Sequence, residues 1–179
     1  MRFELGDLRA WSPANPVDVI VSNATLQWVP GHPDLLARLV GALAPGGVLA
    51  VQVPANFDQP SHTIRAELAA QAPFAAYLGG VAVPSSHDAG TYLTRLHLLG
   101  CAVDAWETTY LHVLAGADAV FDWVVGTGAR PTLQALPEGP IRTEFARRLW
   151  AGLRAAYAVG PAGVVLSFRR VFFIARSPE

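Results

Sequence analysis

Apolar and polar positions change period in a regular way along this chain, most clearly between Val17 and Val53. Val17–Val21 is a short apolar run rich in β-branched residues, the pattern of a strand buried on both faces. Asn23 breaks the run, and a polar-aromatic loop from Thr25 to His32 leads to a helix. There Pro33 suits the first turn, Asp34 favours the positive end, and Leu35, Leu36, Leu39, Val40 and Leu43 form the apolar stripe. Pro45-Gly46-Gly47 is expected to stop this helix, since proline cannot extend it and glycine accepts the left-handed conformation. Val48–Val53 reads as the next buried strand, so the block is one right-handed βαβ crossover in a parallel sheet.

Phe3–Leu5 alternates like a short strand and runs into a Gly6-Asp7 turn. Downstream of Val53, Pro54–Phe57 forms a loop, and Pro60 opens a helix for which Ser61 is the expected N-cap. His62, in the first turn of that helix, reads as a solvated histidine rather than a ligand. Residues 72–86 are small, apolar and turn-rich, as in a mobile lid or insert. A helix over 88–99 shows Tyr92, Leu96 and Leu99 on one face, and a strand follows over 103–114. On that strand Glu107, Thr109 and Leu111 share one side, and Trp106, Thr108, Tyr110 and His112 the other. A helix over 117–125 precedes a glycine-bounded loop carrying Arg130-Pro131. The helix over 141–157 turns Phe145, Leu149 and Leu153 inward and Arg142, Arg147, Arg148 and Arg154 largely outward. The last strand, within 164–175, is interrupted by Arg169-Arg170, one of which must face the core or a site. A buried arginine there needs an acidic partner or a ligand.

Composition narrows the chemistry. Thirteen basic against 14 acidic residues leave no electrostatic support for nucleic-acid binding. Every basic residue is arginine, so Schiff-base chemistry and a P-loop lysine are excluded and guanidinium is the permanent cation available to grip carboxylates. One cysteine, Cys101, allows neither an internal disulfide nor a multi-cysteine zinc site. No apolar run is long enough to span a bilayer and the first residues do not read as a signal peptide, so a cytoplasmic protein without a membrane partner is expected. The oligomeric state is not legible.

An acidic residue opening the strand, S-N-A at its end, an aromatic in the next loop and L-x-P-G-G-x-L together resemble class I S-adenosylmethionine-dependent methyltransferases. Six ordered blocks, V-S-N-A-T-L-Q-W-V-P, V-L-A-V-Q-V-P-A-N, P-S-H, W-E-T-T-Y-L-H, W-V-V-G-T-G-A-R-P and F-R-R-V-F-F-I-A, are similar to the trans-aconitate 2-methyltransferase family in particular. The resemblance implies an α/β, Rossmann-like class I methyltransferase sheet over one domain, residues 1–179, with a helical cap inserted before the last strand. It implies S-adenosyl-L-methionine as cofactor, no metal, and a small tricarboxylate as substrate. Asp7 and Leu8 would read the adenine. Asn23, either a turn-former or a contact, would meet the methionyl part together with Gln27. Trp28 either packs in the core or places its π face near the sulfonium. Arg130 and Arg170, with Tyr110 and His112, are the candidates for gripping substrate carboxylates.

The implied reaction gives a methyl ester. No residue is assigned a catalytic role, because a carboxylate is ionised at neutral pH and needs no general base. The chain departs from the family pattern in one respect. Its D-x-G-x-G-x-G loop and its first two strands have no counterpart before Phe3, and in the family order 3-2-1-4-5-7-6 those strands lie between the third and fourth. The expectation is therefore a shortened form in which Phe3–Leu5 is cut off from the sheet and the Val17 strand has an unpaired edge. Two other readings stay open: a non-catalytic module of the same fold, and a methyltransferase of another small acid.

Overall fold

A computed structural model describes residues 3–179. The chain divides into two compact units. The first comprises residues up to Ala55, Pro84–Thr108 and Arg170–Glu179; the second comprises Asn56–Val83 and Thr109–Arg169. The strands form one mixed sheet in the order β1-β2-β4-β3, from β1 (Val17–Asn23), β2 (Leu43–Pro54), β3 (Ala102–Leu114) and β4 (Val164–Arg176). The last strand is continuous through Arg169-Arg170.

In the first unit β1 lies parallel to β2, with Asn23 opposite Gln52, and β2 lies antiparallel to β4. Between β1 and β2 the chain forms α1 (His32–Gly41), and α4 (Ala89–Leu98) precedes β3. Leu49, Val51 and Val53 alternate along β2 onto one face and are buried with Leu36 and Leu39 of α1, Tyr92 and Leu96 of α4, and Phe173 of β4. Asp88 caps α4 by accepting a hydrogen bond from the Thr91 N–H at 2.7 Å, and Gly100 closes it at φ +82°.

Three expectations fail in this unit. Phe3–Leu5 forms no strand: Phe3 and Leu5 are exposed, and the following segment is a turn closed by Ala10 N–H donating to the Asp7 carbonyl. The β1 strand is not buried on both faces, since Val19 and Val21 keep 57% and 74% of their surface. It is the edge strand, and periodicity cannot tell whether a face is covered. Finally, α1 ends at Gly41 with Ala42 as C-cap, before Pro45-Gly46-Gly47. Those residues are a bulge inside β2, where the register passes from Val17↔Leu43 to Val19↔Val48. The bulge receives the end of the chain: Ser177 Oγ donates to the Ala44 carbonyl and the Gly46 N–H to the Pro178 carbonyl.

Close approach explains the glycine at 47. A Cβ there would lie 2.8 Å from the Ala44 carbonyl oxygen and 3.1 Å from that of Asp18. Gly47→Ala is therefore expected to cost about 1–3 kcal/mol through overpacking against backbone. Thermal denaturation reads the change; an unshifted midpoint would mean that the bulge relaxes freely.

The second unit holds α2 (Pro60–Ala69), α3 (Ala75–Leu78), α5 (Ala119–Gly126), α6 (Arg130–Ala135) and α7 (Pro140–Ala156). Phe145, Leu149 and Leu153 point inward from α7 as their spacing requires, onto Phe74, Val120, Val124, Leu136 and Leu166. The α7 arginines are matched at the surface: Arg147 and Arg148 pair with Glu144, Arg154 with Asp118 and Arg142 with Glu138.

Details again differ from the sequence reading. Gln59, not Ser61, stands before α2, and Ser61 is buried in its first turn with its N–H donating to the Tyr157 hydroxyl. Residues 72–86 include α3 and contribute the buried Phe74 and Leu78 to the core. Three helices rather than two lie between β3 and β4, because Arg130-Pro131 begins α6 instead of remaining in a loop. Among the described residues, no helix is long and apolar enough to cross a membrane.

Candidate functional site

In the first unit the carboxyl ends of β1 and β2 lie side by side, and the chain leaves β1 through an unusual turn. The left-handed residue is Ala24, at φ 51°, not Asn23. Its N–H donates to the Gln52 carbonyl, and its own carbonyl accepts from Gln27 Nε2 at 2.7 Å. Gln27 is buried, and its backbone carbonyl accepts from the Ser85 N–H. Trp28 is at the surface, 39% exposed, which removes the core reading of that indole.

Buried polar atoms gather around this turn. Gln27 Oε1, both amide atoms of Gln52 and the Ser22 hydroxyl have no hydrogen-bond partner among the described residues. Gln52 is 6% exposed and stands in the otherwise apolar run V-L-A-V-Q-V. Burying an amide unsatisfied costs a few kcal/mol, so such a group calls for an explanation. The polar break in an apolar strand was the signal that could have singled out Gln52. Beside the core, the buried His32 Nε2 lies 2.6 Å from the Tyr92 hydroxyl, which also accepts from the His87 N–H. Burial lowers the His32 pKa and raises that of Tyr92.

Asp7 and Leu8 lie on the N-terminal turn. The Asp7 carboxylate is exposed and accepts from the Arg9 backbone N–H and guanidinium at 2.6–3.1 Å, which holds its pKa down at about 2. Leu8 packs against the first core. Arg38 secures the turn by donating to the Arg9 and Trp11 carbonyls. Arg170 is half-buried on β4, opposite Pro54.

In the second unit the rings of Tyr110 and His112 stack at 6.3 Å, and His112 also meets Trp123 at 5.1 Å and Phe168 at 6.0 Å. Its Nε2 is buried without a partner among the described residues. Arg130 stands exposed at the first position of α6. On α2, His62 departs from the expectation of a solvated helix start, and Arg65 further along the helix is buried. His62 packs edge-on against Phe57 at 5.1 Å, and burial drives its pKa down to about 4. Arg65 is buried and donates through Nη1 to the Thr132 hydroxyl at 3.0 Å.

The methyltransferase-domain family model matches residues 4–105, more than half of the chain. The chain belongs to the methyltransferase-domain family. Curated relatives point the same way. A trans-aconitate 2-methyltransferase of Streptomyces coelicolor is 50% identical over 99% of this chain and 59% of its own length. One of Streptomyces avermitilis is 50% identical over 97% and 65%, and one of Sinorhizobium fredii 45% over 98% and 69%. This methyltransferase-domain chain thus spans about three-fifths to two-thirds of the length of those relatives. The YcgJ protein of Bacillus subtilis superposes with a TM-score of 0.55 at 10% identity, over 99% of this chain and 71% of that one. A second Bacillus protein, from B. halodurans, gives 0.53 at 12%, over 97% and 70%. At such identities the likeness shows the α/β fold alone, and it agrees with the Rossmann-like sheet expected of the domain.

Proposed function

We propose that this chain serves S-adenosylmethionine-dependent methyl transfer to a carboxylate of trans-aconitate, giving a monomethyl ester, as one cytoplasmic methyltransferase domain. The observation that carries the reading is its 45–50% identity, over nearly its whole length, to relatives of that name. The donor set supports it. Unpartnered Gln27 Oε1 and the Gln52 amide supply an acceptor and a donor suited to the charged methionyl end, with Asn23 beside them in register. The exposed Trp28 offers a π face to a sulfonium. Asp7, through its carboxylate, and Leu8, through its N–H, are the groups assigned to adenine.

When bound, S-adenosylmethionine supplies a methyl group on positively charged sulfur. The substrate carboxylate is already ionised, so no residue has to remove a proton. The task left to the chain is to hold that carboxylate in line and keep water away, and alignment of this kind is worth roughly 7–11 kcal/mol in favourable cases. Arg130 and Arg170 are proposed for the grip, because guanidinium pairs two oxygens at once. Tyr110 and His112 are the hydrogen-bonding partners, with the buried His112 Nε2, unpartnered among the described residues, the more telling of the two.

Gln52→Leu tests the donor site. Replacing an unsatisfied buried amide by an apolar side chain should stabilise the fold by about 1–3 kcal/mol. Calorimetric titration of S-adenosylhomocysteine should show binding to the wild type and a loss of at least about tenfold in the variant, the equivalent of 1.4 kcal/mol. A folded wild-type chain that gives no heat would sink the reading.

A further inference from the structure

Every arginine of α7 meets a carboxylate, but Arg65 does not. It is 7% exposed on α2, and among the described residues no ion pair includes it. Its Nη1 donates to the Thr132 hydroxyl at 3.0 Å, and among the described residues its buried Nε has no partner. A guanidinium has five N–H donors, and a buried charge left this far from satisfied is costly. Burial alone lowers its pKa.

The geometry of what remains is specific. Thr132 occupies the Nη1 side, which leaves the Nε–Nη2 edge with its two parallel N–H vectors, the edge that matches the two oxygens of a carboxylate. One turn earlier on the same face of α2 is His62, three residues away, whose Nδ1 is likewise buried without a partner among the described residues. The Gly128 backbone lies against this imidazole; a Cβ there would stand 3.5 Å from His62 Cε1. A buried guanidinium and a partly buried imidazole, with Arg65 Nε and His62 Nδ1 buried and unpartnered among the described residues, therefore stand one helical turn apart within the second unit.

The geometry points to Arg65, oriented by Thr132 and flanked by His62, as a carboxylate-recognition site for a small polycarboxylic acid. The assignment rests on the reading of the substrate as such an acid, and it places the main grip on a residue separate from Arg130 and Arg170. Arg130 is exposed, so its charge is already satisfied by water and its hold is weaker. Arg65 is buried, and a carboxylate would supply the partner that its Nε lacks.

The test follows the Arg65 Nε–H resonance of the whole chain during titration with trans-aconitate, with tricarballylate and with inorganic phosphate. The two tricarboxylates are expected to move it saturably, and Arg65→Met to bind them at least about tenfold more weakly without any fall in melting temperature. Arg65→Lys, which keeps the charge but not the fork, should recover only part of the affinity. Tricarboxylate binding that leaves the Arg65 resonance and the Arg65→Met affinity unchanged would overturn the site while leaving methyl transfer standing. A response to phosphate alone, or none to any of the three, would also overturn it. A saturable Arg65 shift in a protein that transfers no methyl group would uphold the site and remove the methyl-transfer reading. The wild-type resonance decides even where a variant fails to fold.

Discussion

Phe145→Ala is expected to be among the most damaging single truncations in the second unit. The Phe145 ring is fully buried on α7 and meets Phe74 edge-to-face, with centroids 5.0 Å apart and planes at 88°. Losing its burial and leaving a cavity should cost about 3–5 kcal/mol, and the aromatic pair itself accounts for about 0.5–1.5 kcal/mol. For a chain of this size the melting temperature should fall by roughly 6–20 °C. Arg147→Ala on the exposed side of the same helix should change stability by only about 0.5 kcal/mol. A Phe145→Ala loss no larger than that of Arg147→Ala would mean that Phe145 does not seat on Phe74 as described.

Acid should weaken the protein through His62. Burial is the main cause of its depressed pKa, the Arg65 charge adds to it, and Asp58 opposes it. The folded state therefore favours the neutral ring. Its contribution is fully present above the ordinary histidine value of 6.5 and is lost as pH falls from there through about 4. The size of the effect is about 3 kcal/mol, at roughly 1.4 kcal/mol per pH unit. His32, also depressed by burial, acts in the same direction, so the informative quantity is a difference. His62→Phe should lose less stability than the wild type between pH 6.5 and 4, and denaturant midpoints across that range measure it. The Asp7 and Glu144 carboxylates, held down at about 2 by their arginines, contribute above the usual carboxylate range and fade only below it. Parallel pH curves for wild type and variant would show that the imidazole is not held in its neutral form.

The elements governed by a single local pattern were legible in the sequence. Helices α4 and α7 follow from spacing alone, because each has one face in a core, and β3 follows from alternation, with Val103 and Ala105 packed against the first core. The failures share a physical cause, which is that local pattern does not record what lies opposite. Val19 and Val21 look like buried strand residues but sit on an uncovered face. Pro45-Gly46-Gly47 looks like a helix stop, yet it lies inside β2, where the pairing with β1 shifts register between Val17 and Val19. Arg65 reads as an ordinary polar position on a helix until its burial is known, and nothing in P-S-H-T-I-R-A-E distinguishes it. The candidate residues taken from family resemblance fare unevenly. Asn23, Gln27 and Trp28 share one loop with unsatisfied groups around it, whereas the Asp7 carboxylate is already engaged by Arg9.

The central claim is best tested by incubating the chain with S-adenosylmethionine carrying a labelled methyl group and with trans-aconitate. Label is expected in a base-labile methyl ester of the tricarboxylate, dependent on both reactants. A folded chain that binds S-adenosylhomocysteine but leaves trans-aconitate unlabelled would contradict it.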